Sequence, residues 1–381
     1  MHRVAMAPQG LFAVQKPQGL TSADVVRHLQ AIFRNHAWFK PDLAVQQKVL
    51  DSQSRSQRQR RRRSRQAEVK LGHGGTLDPL ATGVLVIGLG AGTKSLSTFI
   101  SCTKTYETTA LFGVSTDTYD CTGRILKHAP HSHITPELID SALDAFRGDI
   151  LQKPPIYSAL HHEGKRYYQY AREGKPLPIE IKARPVTVLR MELAGFEKGG
   201  QHKFGFPEKE GSVEEKVVGE VMRKIGMEES KKRRLKAEGE VQDEAGGSKK
   251  VKVDGTLFKQ AEKTIQESIT TESRPDSPPI ASLRMSVSSG FYVRSLIHDL
   301  GEALGSAAHM VQLTRIQQGE FELGKNVIPW EDMASEETAR WESQLEAALK
   351  ETSEEGAFIT RDDVEQDGGE GDGDGEAEKS S

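Results

Sequence analysis

Apolar residues in the first part of the chain alternate and then recur at helical spacing, which predicts a strand followed by a helix. An apolar run opens at Leu11 and ends at a turn that contains Pro17 and Gly19, as is typical of a strand that leads into a turn. Thr21 or Ser22 is the expected N-cap of the helix that follows. The apolar stripe of this helix consists of four residues, Val25, Val26, Leu29 and Ile32.

Further strands and a second helix are predicted in the middle of the chain. The runs "GVLVIGLG", "KTYETTALFGV" and "ARPVTVLRMEL" are typical of strands, and "TDTYDCTG" is typical of a turn. The second helix has Thr135 as its N-cap and Pro136 at its first position, and Gly148 follows it. Its apolar stripe consists of Leu138, Ile139, Leu143 and Phe146.

A last strand and helix are predicted on either side of Gly290. In "ASLRMSVSSGFYVRSLIHDLGEALG" the strand ends near Ser288 and the helix begins after the turn at Gly290. Spacing alone thus predicts alternating strands and helices and does not define the sheet.

Charged segments interrupt and follow this pattern, although the net charge of the 381 residues is only −3. Seven arginines between residues 55 and 65 predict a nuclear import signal or a contact with RNA phosphates, with a plain solvated loop as the alternative. Residues 195–279 are charged and glycine-punctuated, and residues 342–381 are strongly acidic. Both segments are predicted to be disordered because they cannot bury enough apolar surface.

We therefore predict one folded domain from residues 1–193 and 280–340, with a basic insertion at about residues 40–70. The two cysteines, Cys102 and Cys121, do not suggest a disulfide framework, and no paired Cys/His spacing suggests zinc. No apolar run reaches the length that spans a membrane. Because apparent core sequence begins by Leu11, we expect no signal peptide.

The segment "GHGGTLDPLATGVLVIGLG" holds a single carboxylate, Asp78, between glycines and an apolar run. The simplest interpretation of this carboxylate is a turn-forming Asp-Pro pair. The "GLGAGTKS" part resembles a phosphate-binding loop, but Thr93 separates Gly92 from Lys94 and breaks the required order. These residues alone leave the role of Asp78 open.

Seven motifs occur in the same order as in the TruB-type tRNA pseudouridine synthases, and the chain is similar in particular to their fungal members. They are "KPQGLTS", "GHGGTLDPLATGVL", "KTYETTALFG", "STDTYDCTG", "PPIYSAL", "GKRYYQYAREG" and "GFYVRSLIHDLG". The resemblance covers about residues 11–193 and 280–330. It implies an α+β fold with a mixed, largely antiparallel sheet and flanking helices, and it implies isomerisation of uridine 55 in the T-arm of tRNA.

The resemblance also implies a role for Asp78, which matches the catalytic aspartate of the family. The reaction breaks the N1–C1′ bond of uridine, turns the base and rejoins it through C5. A carboxylate can act there as a nucleophile or as a base, on the ring or on the sugar. The reaction requires no cofactor and no metal, and none is predicted.

Five further residues match family positions around a base that is flipped out of the RNA. Tyr106 matches a tyrosine that stacks on the base, with an ordinary strand tyrosine as the alternative. Arg294 matches an arginine paired with the catalytic carboxylate. Tyr292 and Leu313 match apolar pocket positions, with helix core as the alternative for Leu313, and His73 matches a histidine that supports the RNA where the base has left.

Two features depart from the family. Many relatives carry a lysine after "YSAL", whereas this chain has His161, so a basic RNA contact there is expected to be weaker or pH-dependent. Bacterial relatives end in a small RNA-binding domain, which the acidic tail cannot form. The affinity for tRNA is therefore expected to come from the catalytic domain and the basic insertion.

Two alternatives to a stand-alone tRNA enzyme are considered. A guide-RNA-dependent synthase of ribosomal RNA is disfavoured by the missing C-terminal RNA-binding domain, and a catalytically inactive RNA-binding protein is disfavoured by Asp78, Tyr106 and Arg294. We expect a nuclear monomer that acts on tRNA and not at a membrane. Whether mRNA is also a substrate, and whether the protein is also mitochondrial or cytoplasmic, is left open.

Overall fold

The computed structural model shows an α+β fold and describes most of the chain. The described residues are 7–53, 66–158, 160–162, 164–172, 181–213, 215–217, 277–335 and 338–354. The predicted arginine cluster, most of the predicted central disordered segment and the end of the acidic tail lie outside these residues. By its internal contacts the chain divides into two compact units, Met1–Lys104 with Thr314–Ser381 and Thr105–Leu313.

The helices and strands of the described residues follow one another along the chain. The strands are β1 (Gly10–Lys16), β2 (Leu71–His73), β3 (Thr82–Leu89), β4 (Lys104–Phe112), β5 (Val114–Thr116), β6 (Ile125–His128), β7 (Gly148–Gln152), β8 (His161–His162), β9 (Lys165–Arg166), β10 (Arg184–Glu197), β11 (Ile280–Val287), β12 (Ala308–Gln318), β13 (Phe321–Glu322) and β14 (Val327–Ile328). The helices are α1 (Ser22–Asn35), α2 (Lys40–Ser52), α3 (Leu96–Ser101), α4 (Pro136–Leu143), α5 (Tyr167–Arg172), α6 (Val293–Ala303), α7 (Trp330–Met333) and α8 (Thr338–Glu354).

The first unit is built on a mixed sheet with the strand order β14, β1, β3 and the end of β12. Strand β1 is antiparallel to β3, with Phe12 opposite Ile87, and parallel to β14. Strand β3 is parallel to β12, with Thr82 opposite Thr314, and antiparallel to β2. Nearly every residue of β1 and β3 is buried, which explains why both read as continuous apolar runs.

Helix α1 confirms the predicted start and stripe. Thr21 is the N-cap, and its side chain and that of Asp24 form a reciprocal capping box. Val25 and Leu29 are buried, and the helix packs them into the core together with Phe33.

Helix α8 corrects the prediction that the acidic tail begins at residue 342. Trp341 and Leu345 are fully buried and belong to the same core cluster as Phe33. The ring centroids of Phe33 and Trp341 lie 5.5 Å apart. The prediction was wrong for residues 342–354 because a few well-spaced apolar residues among many charges are enough to seat a helix.

The second unit is built on a sheet in which β4, β11, β10 and β7 follow in that order. Strand β10 is antiparallel to both β11 and β7. Strands β5 and β6 form a separate antiparallel pair, and β8 and β9 form a hairpin. The predicted α4 begins at its expected N-cap, Thr135, but only Ile139 and Leu143 are buried, whereas Leu138 is 46% exposed.

The start of the predicted disordered segment 195–279 is folded, which corrects its first boundary. Strand β10 continues to Glu197, and Phe204 and Phe206 pack against the buried side chains of Leu111 and Ile280. The backbone N–H of Ile125 donates to Lys209 O at 2.9 Å. The boundary was misplaced because the high average charge of this stretch outweighs the few aromatic residues that anchor it.

In the described part of the chain, no helix combines the length and the apolarity needed to cross a membrane.

Candidate active site

The loop that carries Asp78 connects β2 to β3 in the first unit and is held by backbone contacts on both sides of the carboxylate. Leu77 N donates to Ser22 Oγ at 2.9 Å, and Ala81 N donates to Asp78 O at 3.1 Å. Gly19 N donates to Pro79 O at 2.7 Å. Asp78 itself is half-buried. The loop therefore presents a carboxylate on a fixed backbone, which a simple turn does not require.

The glycines before and after Asp78 allow close packing against the end of β12. Gly75 has a φ of 136°, and Gly83 has a φ of 104°. A Cβ atom on Gly83 would lie 2.2 Å from the backbone oxygen of Arg315. No side chain fits at Gly83, because the obstacle is backbone.

Two buried polar side chains of β12 bind this loop. Arg315 is 1% exposed, and its Nε donates to Val84 O at 2.8 Å. Gln318 is fully buried, and its Nε2 donates to Gly74 O at 2.5 Å and to Phe99 O at 2.8 Å. These bonds fix the backbone at both ends of the segment that contains Asp78.

Lys16, at the end of β1, is a buried cation close to the loop, and it is not among the predicted site residues. Its side chain is fully buried, and Nζ donates to Pro17 O at 2.7 Å, to Leu20 O at 2.6 Å and to Pro79 O at 3.3 Å. Burial lowers the pKa of Lys16 to about 8, and the carboxylate of Asp78 opposes this shift. The signal that could have revealed Lys16 is its place as the first residue of the motif "KPQGLTS".

His73 ends β2 opposite Ile87 and directly precedes the glycines of the loop. It is half-buried, so part of its surface faces solvent. Its predicted contact with RNA stays a prediction.

The other predicted site residues belong to the second unit. Tyr106 lies in β4 and is 9% exposed, and Leu313 lies in β12 and is 5% exposed. Leu313 thus lies in a strand and not in a helix, and its burial agrees with the alternative that it belongs to the core. Tyr292 is the N-cap of α6 and is half-buried.

Arg294 lies in the first turn of α6, and its guanidinium contacts two other segments of the second unit. Nη1 donates to Thr118 O at 2.8 Å and Nη2 donates to Tyr157 O at 2.8 Å. Nε lies 3.9 Å from Oδ2 of Asp120, and both side chains are buried. The motifs "STDTYDCTG", "PPIYSAL" and "YVRSLIHDLG" thus meet at one side chain. The predicted pairing of Arg294 with Asp78 stays a prediction.

The turn that contains Asp120 is organised by that carboxylate. Its Oδ1 accepts from Thr118 Oγ1 at 2.8 Å, from Thr122 N at 3.0 Å and from Thr122 Oγ1 at 2.6 Å. Oδ2 is left to face Arg294. Tyr119 adopts a φ of 63°, and its ring stacks on His298 with 4.0 Å between the ring centroids. A carboxylate that satisfies its own turn can hold an arginine in a fixed orientation.

His161 lies in β8 opposite Arg166 of β9. Its Nε2 accepts from Nε of Arg166 at 3.3 Å, and both residues are exposed or nearly so. The positive charge at this hairpin therefore comes from Arg166 and Lys165. These two side chains offset the loss of the family's lysine at position 161.

Within the described residues, no cluster of three or more His, Cys, Asp or Glu side chains could hold a metal ion.

Comparison with known proteins agrees with these features. A family model described as TruB family pseudouridylate synthase, N-terminal domain, matches residues 61–213, and one described as tRNA pseudouridylate synthase B C-terminal domain matches residues 294–353. Arg294 opens the second match, and Asp78 and Tyr106 lie within the first.

Two curated fungal proteins named tRNA pseudouridine synthase 4 are similar over most of their length. The one from Schizosaccharomyces pombe is 44% identical over 359 residues, which cover 90% of this chain and 86% of the relative. The one from Saccharomyces cerevisiae is 35% identical and is covered to 85%. Among solved structures, a Cbf5-Nop10-Gar1 complex is 19% identical over 87% of this chain and 55% of that chain, with a TM-score of 0.41 that is too low to bear on function. This chain therefore belongs to the TruB family of tRNA pseudouridine synthases and is an enzyme that isomerises uridine to pseudouridine.

Proposed function

We propose that this enzyme isomerises uridine 55 in the T-arm of tRNA, with Asp78 as its catalytic group and without a guide RNA or a cofactor. The observation that carries the proposal is the half-buried carboxylate of Asp78 on a loop whose backbone is fixed from Gly74 to Val84. A fixed carboxylate is what a reaction at one nucleotide requires, since it must meet one atom of the flipped base or its sugar.

The chemistry is an isomerisation, and its atoms balance without a second substrate. The N1–C1′ bond breaks and a C5–C1′ bond forms, while C5 loses a proton and N1 gains one. Asp78 acts as the nucleophile or as the base in this sequence. Tyr106, Tyr292 and Leu313 supply the aromatic face and apolar wall for the base, and Arg294 supports the charge of the carboxylate.

Support for a tRNA substrate comes from the relatives, because both fungal proteins are named tRNA pseudouridine synthase 4. The guide-dependent alternative is disfavoured by a missing C-terminal RNA-binding domain. Residues 294–353 match a C-terminal domain model of the family that is not described as RNA-binding, so an experiment has to separate the two alternatives.

The deciding experiment incubates the purified chain with an unmodified tRNA transcript, without guide RNA, and maps pseudouridine. We expect product at position 55, and none in a transcript that carries cytidine there or with the Asp78→Asn variant. Product elsewhere in the tRNA would overturn the choice of position. Product only after a guide RNA is added would favour the guide-dependent alternative.

Location and assembly belong to the same proposal. We infer a monomer that enters the nucleus through the arginines of residues 55–65, which carry seven positive charges within eleven residues. A size measurement of the purified chain and microscopy of a tagged chain with and without those arginines test the two statements separately.

A further inference from the structure

The side chain of Gln152, the last residue of β7, is paired with the backbone of Tyr292 at both of its polar atoms. Nε2 donates to Tyr292 O at 2.9 Å, and Oε1 accepts from Tyr292 N at 2.7 Å. Gln152 is 4% exposed. The backbone of Tyr292 offers one donor and one acceptor, so the orientation of the amide is fixed by its partner.

Tyr292 occupies a position that usually carries a short polar side chain. It is the N-cap of α6, with φ −114° and ψ 108°, and its side chain makes no cap hydrogen bond. Serine, threonine, asparagine or aspartate is favoured at an N-cap because a short polar side chain satisfies the free backbone N–H groups. A tyrosine here gives up that local stabilisation, which is expected where a side chain serves a site.

Two further bonds join the stretch after β7 to the same turn of α6. Ser295 Oγ donates to Lys153 O at 2.9 Å, and Arg294 Nη2 donates to Tyr157 O at 2.8 Å. Ser295 is 1% exposed. Of these contacts, the pair from Gln152 alone reaches the backbone of Tyr292, and it does so from a distance of 140 residues in sequence.

We propose that Gln152 is a positioning residue for the reaction: its amide holds the backbone of Tyr292, and through it sets the ring of Tyr292 against the uracil base. The inference rests on the proposed function, since it assigns Tyr292 to the base pocket. Gln152 does not touch the substrate. It acts by fixing the residue two positions before Arg294, so its loss displaces the apolar wall relative to the reacting base.

The test compares single-turnover pseudouridine formation at saturating enzyme for four proteins: unaltered, Gln152→Ala, Gln152→Glu and Ser295→Ala. Ser295→Ala is the matched control, because it removes one buried bond between α6 and the stretch directly after β7 and leaves Tyr292 paired with Gln152. Filter binding of tRNA and the melting temperature are measured on each protein.

Gln152→Ala is expected to slow the single-turnover rate by on the order of tenfold to a hundredfold while tRNA binding stays unchanged, because misplaced groups cost rate more than affinity. Ser295→Ala, with a similar loss of melting temperature, is expected to stay within a few-fold of the unaltered rate. Gln152→Glu keeps the acceptor for Tyr292 N and loses the donor when ionised. Its rate relative to the unaltered enzyme should therefore rise as the pH falls and the new carboxyl becomes protonated.

The outcomes separate the two proposals. If the unaltered enzyme forms no pseudouridine, the proposed function fails and this inference fails with it. If it does, but Gln152→Ala is no slower than Ser295→Ala, Gln152 only stabilises the fold and the inference is overturned. Should Gln152→Ala not fold, Gln152→Glu decides: a rate that matches the unaltered enzyme at every pH contradicts a positioning role.

Discussion

At the scale of single residues, the loop around Asp78 combines a half-buried carboxylate with a fully buried cation. Lys16 Nζ donates to Pro79 O, directly after Asp78, and the charges of Lys16 and Asp78 interact favourably. Buried lysines are rare because burial penalises the charged form. The cost of burying Lys16 is offset by three backbone carbonyls and a carboxylate, and the result is a loop that cannot move without breaking those bonds.

Asp78→Asn is predicted to abolish chemistry while leaving tRNA binding intact. The substitution keeps the shape and the hydrogen-bonding capacity but removes the negative charge and most of the nucleophilicity. We expect the single-turnover rate to fall by about 10³-fold or more. Affinity for tRNA should stay the same or rise slightly, since one negative charge is lost near RNA.

Single-turnover assays and filter binding of the same tRNA check this prediction. A rate near that of the unaltered enzyme would mean that Asp78 is not the catalytic group. A folded variant that no longer binds tRNA would mean that binding and chemistry are not separable at this residue.

Lys16→Met is predicted to reveal the lowered pKa of Lys16 through a pH-dependent difference in stability. The pKa of Lys16 is about 8 in the folded chain, against an ordinary value of 10.5. Between these values the unfolded chain binds more protons, so the unaltered protein becomes more stable relative to the variant as the pH rises from 8 to 10.5.

Urea unfolding of both proteins at pH 7.5 and at pH 10 measures this difference. The variant should be the less stable protein at both values, because three buried carbonyls lose their donor. A stability difference that does not change with pH would show that Lys16 keeps an ordinary pKa in the folded chain.

At the scale of elements, local signals predicted what local interactions determine. Thr21 and the stripe of α1 followed from capping and spacing, and Thr135 followed in the same way for α4. The predicted burial of Leu138 was wrong, because Ile139 and Leu143, four residues apart, form the buried face of the helix and the position before Ile139 faces another direction.

The packing around Arg294 could not be predicted from spacing. Arg294 bonds Thr118 across 176 residues and Tyr157 across 137 residues, and no local pattern reports such contacts. The motif resemblance found Arg294 itself. It did not identify Asp120 as a partner of Arg294. Asp120 stabilises the predicted turn through Oδ1, and its Oδ2 also faces Arg294.

Asp120→Asn is predicted to slow catalysis by loosening Arg294. An asparagine can still accept bonds within the turn, but the charge that faces Arg294 at 3.9 Å is lost. At this distance the two groups form an ion pair without a hydrogen bond, so we expect roughly a tenfold lower single-turnover rate if the orientation of Arg294 matters in full.

Thr122→Val is the control for this prediction, since it removes one bond to Oδ1 and keeps the charge of Asp120. We expect it to lose some melting temperature and little of the single-turnover rate. Equal rates for Asp120→Asn and the unaltered enzyme would show that the backbone carbonyls alone orient Arg294.

At the scale of the whole molecule, the predicted boundaries require revision at both charged segments. Residues 342–354 belong to α8, and the match to the C-terminal domain model extends to residue 353. Residues 195–213 are folded, and Val217 is buried. Composition averages over long windows, so it misses the short stretches in which a few apolar residues determine the structure.

Deletion of residues 219–275 is predicted to leave the turnover rate within a few-fold. The flanks hold each other, since the ring Nε2 of His202 lies 2.8 Å from Pro278 O. A short glycine-serine linker should therefore close the gap at a small entropic cost.

A longer deletion that begins at residue 208 is the matched control and should be unstable, because it removes Lys209 and Glu210, which bond Ile125 and His128. Loss of activity in the shorter deletion, without loss of folding, would assign the segment a role in catalysis.

The arginines of residues 55–65 are predicted to contribute to tRNA affinity, to nuclear import or to both. Replacing all seven by glutamine removes counterion-releasing contacts, so the slope of the logarithm of affinity against the logarithm of salt concentration should become less steep by roughly 0.7–0.9 for each lost phosphate contact.

The basic run "KKRRLK" of residues 231–236 is the control, because it carries comparable charge at another place in the chain. A change in slope with the first set and none with the second assigns the contact to residues 55–65. A change in nuclear accumulation without a change in slope assigns them to import. If both location and slope are unchanged, the cluster has no part in either process, and the affinity for tRNA must come from the folded residues alone.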